Sequence, residues 1–500
     1  MSRPPYWSAA LRPISVPGMK PVLYLVGLVL LSTAGMMLFP MLVDLYFGSP
    51  AWKAFAAASG FSATIGSILA YSSRGALHSG FTLQQAFILT PLSWISVAAI
   101  SAMPFYFSDF GSVSESLSNS VFESVSGITT TGATVISGLD QAPPGILLWR
   151  ALLQWMGGIG IIASAIAILP ALGIGGMQLF RTESSDRSEK AMPRVRQIAV
   201  TIALVYLALT VVATLVYWLA GMRLFDALAH ALTSIATGGY STSDSSFGNW
   251  EANGIQWFAT VFMLSGSIPF VLYVRFIAGE HKALWDRQVR TMLALLGVVI
   301  MALGLSLILS GEYDIEPAFR HAAFNTVSVV TTTGYATTDY GLWGNAAVGV
   351  FFGLMFIGGC TGSTSGGIKI FRYEVMAIML KAHFLRLLYP RGVFPRAYGD
   401  RPLDDEIINS VVSFFAVFFL CYAALTIALM AFGLDFLTSS SGAATALANV
   451  GPGLGNIIGP AGNFEPLPDG AKWLLSFGML LGRLELFTIL ILFVPRFWRG

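Results

Sequence analysis

Apolar windows of about 20 residues recur from one end of this chain to the other, each long enough to cross a hydrocarbon core of ~30 Å. They predict ten crossing helices: Val22–Val43, Ala54–Tyr71, Ala86–Phe107, Gly145–Leu169, Ile198–Gly221, Gly254–Ala278, Thr291–Ser310, Asn345–Gly359, Ile407–Gly433 and Lys472–Val494. Between some of them lie half-length segments of another kind. Glu115–Ile128 ("ESLSNSVFESVSGI") carries Leu117, Val121, Phe122 and Val125 at helical spacing, but it is too short and too polar to span. Leu224–Ile235, Glu316–Val330 and Asp435–Ala448 repeat the pattern. Each is followed at once by a glycine-rich turn: "TTTGAT" from Thr129, "ATGGYST" from Ala236, "TTTGYAT" from Thr331 and "NVGPGLG" from Asn449. The glycines Gly132, Gly238, Gly334 and Gly451 lie 106, 96 and 117 residues apart.

The repeating unit is therefore helix, short descending helix, extended Gly/Thr stretch, helix, written four times after two leading spans. The expected division is 1–80 for the two-helix start, then 81–180, 181–285, 286–400 and 401–500 for the four repeats. The fold class that follows is an all-α polytopic membrane protein, with four helix–pore-loop–helix repeats around a pseudo-fourfold pore. Non-helical backbone at membrane depth is tolerated only where protein buries it or where it lines a water-filled path. Four such segments meeting on one axis can stack rings of carbonyl oxygens that replace the hydration shell of a cation. Glycine lets the backbone turn a carbonyl inward without a Cβ clash. Each short helix aims its negative C-terminal end at the axis, which also favours a cation.

Composition agrees. With 55% hydrophobic and only 11% charged residues and a mean hydropathy of +0.71, the chain has less than half the charge of a soluble domain. The net charge is only +2, but its placement is informative. If the N-terminus is cytoplasmic, the inner loops, tails and helix ends hold 22 of the 28 Lys and Arg, including Arg181–Arg196 and the Lys369–Arg401 stretch. The positive-inside rule then puts both termini in the cytoplasm. The outer side holds 15 of the 26 acidic residues, among them Asp109, Glu115, Glu123, Asp226, Asp244, Asp314, Glu316, Asp339 and Asp435. These are either ordinary solvated loop residues or the walls of a vestibule that concentrates cations. The basic, proline-broken N-terminal segment precedes an apolar run too long for a signal peptide, so the first span is expected to be retained. Cys360 and Cys421 lie in apolar stretches without metal-ligand spacing and read as inert small hydrophobes.

Together the four loops resemble the filters of the Trk/Ktr/HKT superfamily of potassium transporters. The two leading spans and the length point to its bacterial TrkH/TrkG branch. The resemblance covers nearly the whole chain. It implies potassium uptake across a bacterial inner membrane, with potassium as the transported ion and no organic cofactor bound in this chain. It implies a homodimer in membrane lipid, a cytoplasmic TrkA-like RCK/KTN ring that binds nucleotide, and no nucleic-acid partner. The family's selectivity glycines fall on Gly132, Gly238, Gly334 and Gly451. The ion-coordinating backbone ahead of them falls on Thr130, Thr131, Ala236, Thr237, Thr332, Thr333, Asn449 and Val450. Plant relatives that admit sodium carry serine at the first filter glycine, so Gly132 argues for potassium over a sodium-permeable or potassium–sodium coupled pore.

Two features lie below the filter. "GGCTGSTSGG", Gly358–Gly367, has almost no helix propensity. It is not a Walker A loop, because Ile370 follows Lys369. A cytoplasmic turn would use such residues, but an intramembrane loop resembling the family's gate fits better. It would be built from Gly358, Gly359, Thr361, Gly362, Ser363, Thr364, Ser365, Gly366 and Gly367, with Lys369 or Arg372 adding positive charge at its edge. Arg483 sits about a dozen residues into the last span, where an arginine costs at least ~2.5 kcal/mol unless paired. A partnership with Glu485 is awkward at two-residue helical spacing. Arg483 is therefore expected to face the pore below the filter, where it would contact the Gly358–Gly367 loop or provide a barrier to ions, as its counterpart in the family does. His230 and His321 read as packing or hydrogen-bonding residues of the short helices, and Gly157–Ile162 ("GGIGII") as close helix packing. An enzyme would need titratable or metal-binding groups converging in the bilayer, and no HExxH, paired histidines or acidic helix pair is present. A carrier of inverted repeats would use broken spanning helices rather than four pore loops.

Overall fold

A computed structural model of the chain describes residues 18–75, 82–167, 191–250, 253–399 and 401–499. Among these, seven helices are long and apolar enough to cross a membrane, and two sharply bent helix pairs bring the number to nine. The chain is a multi-pass, all-α membrane protein, with one two-residue hairpin, Ala397–Tyr398 against Arg401–Pro402. The basic segment Arg181–Lys190 and the first 17 residues lie outside the described residues.

The two leading helices, Lys20–Phe47 and Trp52–Ser72, pack as a hairpin. Small residues let their backbones approach: a Cβ on Gly27 would stand 2.8 Å from the Gly66 carbonyl. Ser59 and Ser62 on the second helix donate 2.9 Å hydrogen bonds to the carbonyls of Ala34 and Leu30 on the first.

The repeat then runs four times. Spanning helices Leu83–Tyr106, Ala191–Leu219, Arg287–Leu309 and Asp405–Ala431 enter the units. The short helices expected to be pore helices are Leu117–Ile128, Leu224–Ile235, Ile315–Val330 and Phe436–Ala448. After each pore loop the chain returns through Pro144–Ala167, Asn253–Ser267, Asn345–Leu354 or Asp469–Arg483.

Three of the ten expected spans are not continuous helices. Gly254–Ala278 breaks by 91° between Ser267 and Phe270. Pro269 stands at the break and has no N–H to continue the ladder. Carbonyls left free at the bend are used by the glycine-rich segment: Cys360 N–H donates to Ser267 (3.1 Å) and Thr364 N–H to Gly266 (3.2 Å). Lys472–Val494 breaks by 111° after Arg483, with Glu485 held at φ 61°. The helix expected over Asn345–Gly359 ends at Leu354, and residues 355–369 form a non-helical loop pinned by a bridge between Ile357 and Ile368. Pro269 and Glu485 stand at the first two breaks inside windows that are still apolar enough to span, and the third falls just before the glycine-rich run.

Candidate functional site

Each pore helix ends in the same way. Thr130 N–H bonds the Gly127 carbonyl (3.0 Å) and Thr131 N–H the Ser126 carbonyl (2.9 Å). Thr237 and Gly238 repeat the pair onto Ser234 (3.1 Å) and Thr233 (2.9 Å), and Thr332 and Thr333 onto Val329 (3.0 Å) and Ser328 (2.8 Å). In the fourth unit Val450 N–H reaches Thr445 (3.0 Å). This closure is a Schellman motif, whose left-handed residue is usually glycine. Here it is Thr130 (φ 52°), Thr237 (50°), Thr332 (56°) and Asn449 (54°). A left-handed β-branched residue costs about 1–3 kcal/mol and persists only where its surroundings enforce it.

Two residues further on, Gly132, Gly239, Gly334 and Gly451 again have positive φ, at 84°, 81°, 82° and 114°. The second loop is thus one residue out of step with the sequence expectation. Gly239, not Gly238, is the counterpart of Gly132. Gly238 corresponds to Thr131, and Ala236 to Thr129 rather than to Thr130. The adjacent glycines look alike in sequence, and only the backbone separates them.

The four glycines make a closed ring of contacts. A Cβ on Gly132 would strike the carbonyl of Gly238, one on Gly239 that of Thr333, and one on Gly334 that of Val450. A Cβ on Gly451 would stand 2.8 Å from the carbonyl of Thr131, which closes the circle in the order one, two, three, four. The carbonyls of Thr131, Gly238, Thr333 and Val450 therefore each lie against the glycine of a neighbouring loop.

Side chains behind the first two loops brace the ring. Glu123 and Arg150, both essentially unexposed, pair at 2.8 Å. Arg150 also donates to the Ser241 carbonyl (2.8 Å) and Thr134 Oγ1 (3.1 Å), and its guanidinium lies 4.0 Å over the Tyr240 ring. Glu123 is thus a buried brace and not a vestibule carboxylate, and Asp226 is likewise buried, bonding Thr242 Oγ1 at 2.8 Å. Asp244 caps the N–H groups of Gly138 and Leu139. Arg150 and Gln154 escaped the sequence analysis. Their four-residue spacing on an otherwise apolar helix was the available signal. His230 bonds the Asp226 carbonyl and Ser241 Oγ, and His321 bonds Thr337 Oγ1. Gly157 and Gly158 bring the helix against Ile128 and Ala236, a close approach at the ends of the first two short helices.

The Gly358–Gly367 loop lies in contact with the second and third glycine-rich loops. Gly366 N–H donates to Thr332 Oγ1 at 2.6 Å, and the hydroxyls of Thr237 and Thr364 meet at 3.1 Å. Arg483 is buried at the break of the last helix, where it donates to the Thr364 carbonyl at 2.8 Å. Glu485 pairs with Arg372 at 2.6 Å, and that guanidinium lies 3.6 Å over Phe414. Lys369 Nζ donates to the Ser365 carbonyl. Neither Lys369 nor Arg483 forms an ion pair among the described residues. A cavity of about 50 Å³, room for a few waters, is lined by this loop, Arg483, Phe414 and Leu447.

A family model described as a cation transport protein, TrkH, matches residues 52–499. The chain is 51% identical over 420 residues to the Trk system potassium uptake protein TrkI of Halomonas elongata, spanning 83% of this chain and 84% of that protein. It is 36% identical over 483 residues to the Trk system potassium uptake protein TrkH of Escherichia coli, spanning 95% and 98%. The crystal structure of the potassium transporter TrkH from Vibrio parahaemolyticus superposes with a TM-score of 0.88 at 34% identity, covering 96% of this chain and all of that one.

Proposed function

Because this chain belongs to the TrkH family of cation transport proteins, we propose that it is the membrane subunit of a Trk system and takes up potassium ions. The ion sheds its water in the four-loop filter, where the carbonyls of Thr131, Gly238, Thr333 and Val450 form one ring and those of Thr130, Thr237, Thr332 and Asn449 lie next to it along the chain. The observation that carries this is the closed circle of glycine-to-carbonyl contacts that joins the four loops.

The Gly358–Gly367 loop is the gate, seated against the filter through Thr332 and Thr237. Lys369 and Arg483 add two positive charges beneath the filter that oppose a cation while the loop is seated. The chain lies in the bacterial inner membrane with both termini cytoplasmic, and it works as a homodimer. The relatives are named as parts of a Trk system, which supports assembly with further subunits. Here that subunit is a cytoplasmic TrkA-like RCK/KTN ring binding nucleotide, docked on the basic inner surface of the Lys369–Arg401 stretch.

The test is growth of a potassium-uptake-deficient bacterium on low potassium, with and without the ring subunit. Rescue that changes with the ring supports both halves of the proposal. Failure to rescue although the protein reaches the membrane overturns the first. Rescue indifferent to the ring overturns the second.

A further inference from the structure

Gln154, on the Pro144–Ala167 helix, is wholly buried. Its Nε2 donates to the Gly238 carbonyl at 2.6 Å, and its Oε1 accepts from Tyr240 N–H at 3.0 Å. One side-chain amide thus straps the second filter loop across its glycine pair. Among the described residues, none of the other three ring carbonyls, those of Thr131, Thr333 and Val450, accepts a hydrogen bond from a side chain.

The same side chain explains why position 238 is glycine. Gly238 is not in the left-handed region, unlike Gly239, so its backbone conformation would accept any residue. What excludes a side chain is Gln154: a Cβ on Gly238 would strike its carboxamide and stand 2.9 Å from its Cβ. In the first, third and fourth loops Thr131, Thr333 and Val450 supply their own side chain at this position. In the second, a residue of the neighbouring helix fills the volume and adds a donor to the carbonyl.

We propose that Gln154 is a specificity-determining residue of the filter, which positions the Gly238 carbonyl and weakens it as an ion ligand relative to the other three. An oxygen that already accepts a hydrogen bond has less charge to offer an ion and less freedom to swing towards a smaller one. The ring is therefore asymmetric by construction, and its second corner is set from outside the loop. This rests on the proposed potassium filter.

The test measures potassium, rubidium and sodium flux into proteoliposomes, with the amount of folded protein determined in each preparation. Gln154→Leu, similar in volume and without donor or acceptor, is expected to lower the potassium-to-sodium ratio by about two- to tenfold, the range of one hydrogen bond. Gly238→Thr alone is expected to lose flux, because Gln154 blocks the new side chain. Gln154→Ala with Gly238→Thr is expected to regain it, with an ion ratio shifted from the parent's. A purely packing role would let the double variant recover with the parent's ratio, which overturns the proposal. So would a tolerated Gly238→Thr single variant, a double variant no better than that single one, or an unchanged ratio in Gln154→Leu. Should Gln154→Leu not fold, the double variant alone decides. A parent protein that carries no potassium would overturn the proposed function itself, whereas unaltered ratios in a working parent overturn only this inference.

Discussion

Thr332→Val isolates the contact between the third glycine-rich loop and the Gly358–Gly367 segment, the proposed filter and gate. Valine keeps the β-branched shape at φ 56°, so the backbone strain changes little. It removes the hydroxyl that accepts Gly366 N–H at 2.6 Å. Gly366 is buried, so its N–H is left without an acceptor while the loop is seated. That costs the seated state about 1–3 kcal/mol, or about 5- to 150-fold in the ratio of seated to released loop. The assay is potassium flux into proteoliposomes holding the protein without the proposed ring subunit, where Thr332→Val should raise the basal rate by up to that factor. Thr130→Val is the internal control. Its hydroxyl occupies the equivalent place in the first loop but is buried without a partner among the described residues. Removing an unpaired hydroxyl should leave the basal rate near the parent's. If the two variants behave alike, or if Thr332→Val lowers flux while ion discrimination holds, the loop is not seated through this bond.

The register of the second loop predicts that Gly132→Ser and Gly239→Ser both admit sodium, and that neither is relieved by Gln154→Ala. In each, the obstacle is a neighbouring backbone carbonyl together with a positive φ that costs a non-glycine residue about 1–2 kcal/mol. Sodium and potassium fluxes check this. Arg150→Met should leave Glu123 buried and uncompensated and destabilise the folded protein by about 3–5 kcal/mol, seen as a large fall in melting temperature in detergent. Asp435 caps the fourth pore helix, and the Thr438 hydroxyl and N–H hold its carboxyl below the usual range. A depressed pKa contributes stability above the ordinary carboxylate value and loses it as pH falls through the lowered one. Asp435→Ala should therefore cost about 0.5–2 kcal/mol at neutral pH, with the gap to the parent closing in acid, as thermal melts across pH can show.

The fourfold repeat was legible because its two requirements leave marks in the sequence. A pore helix too short and polar to span announces itself by length, and a loop that must bring carbonyls together without side chains announces itself by glycine. What lay beyond the sequence were differences decided by conformation. Gly238 and Gly239 are chemically identical, and only the positive φ of the second and the Gln154 side chain against the first assign their roles. The breaks at Pro269 and Glu485 fall inside windows apolar enough to span, and backbone groups freed at the Pro269 bend find partners in the distant Gly358–Gly367 loop. Arg483 was expected to meet that loop, and the structure brings it to Thr364. The sequence left the role of Glu485 open, since its partner, Arg372, is more than a hundred residues away.

The central claim is that a potassium ion is held between the carbonyls of the four loops. Anomalous scattering from crystals grown with thallous ion, a heavy stand-in for potassium, in excess sodium tests it most directly. The account predicts a peak inside the ring formed by the carbonyls of Thr131, Gly238, Thr333 and Val450, lost in Gly239→Ala. A ring empty of thallium, with the ion bound only in the outer loops or below Arg483, would contradict it.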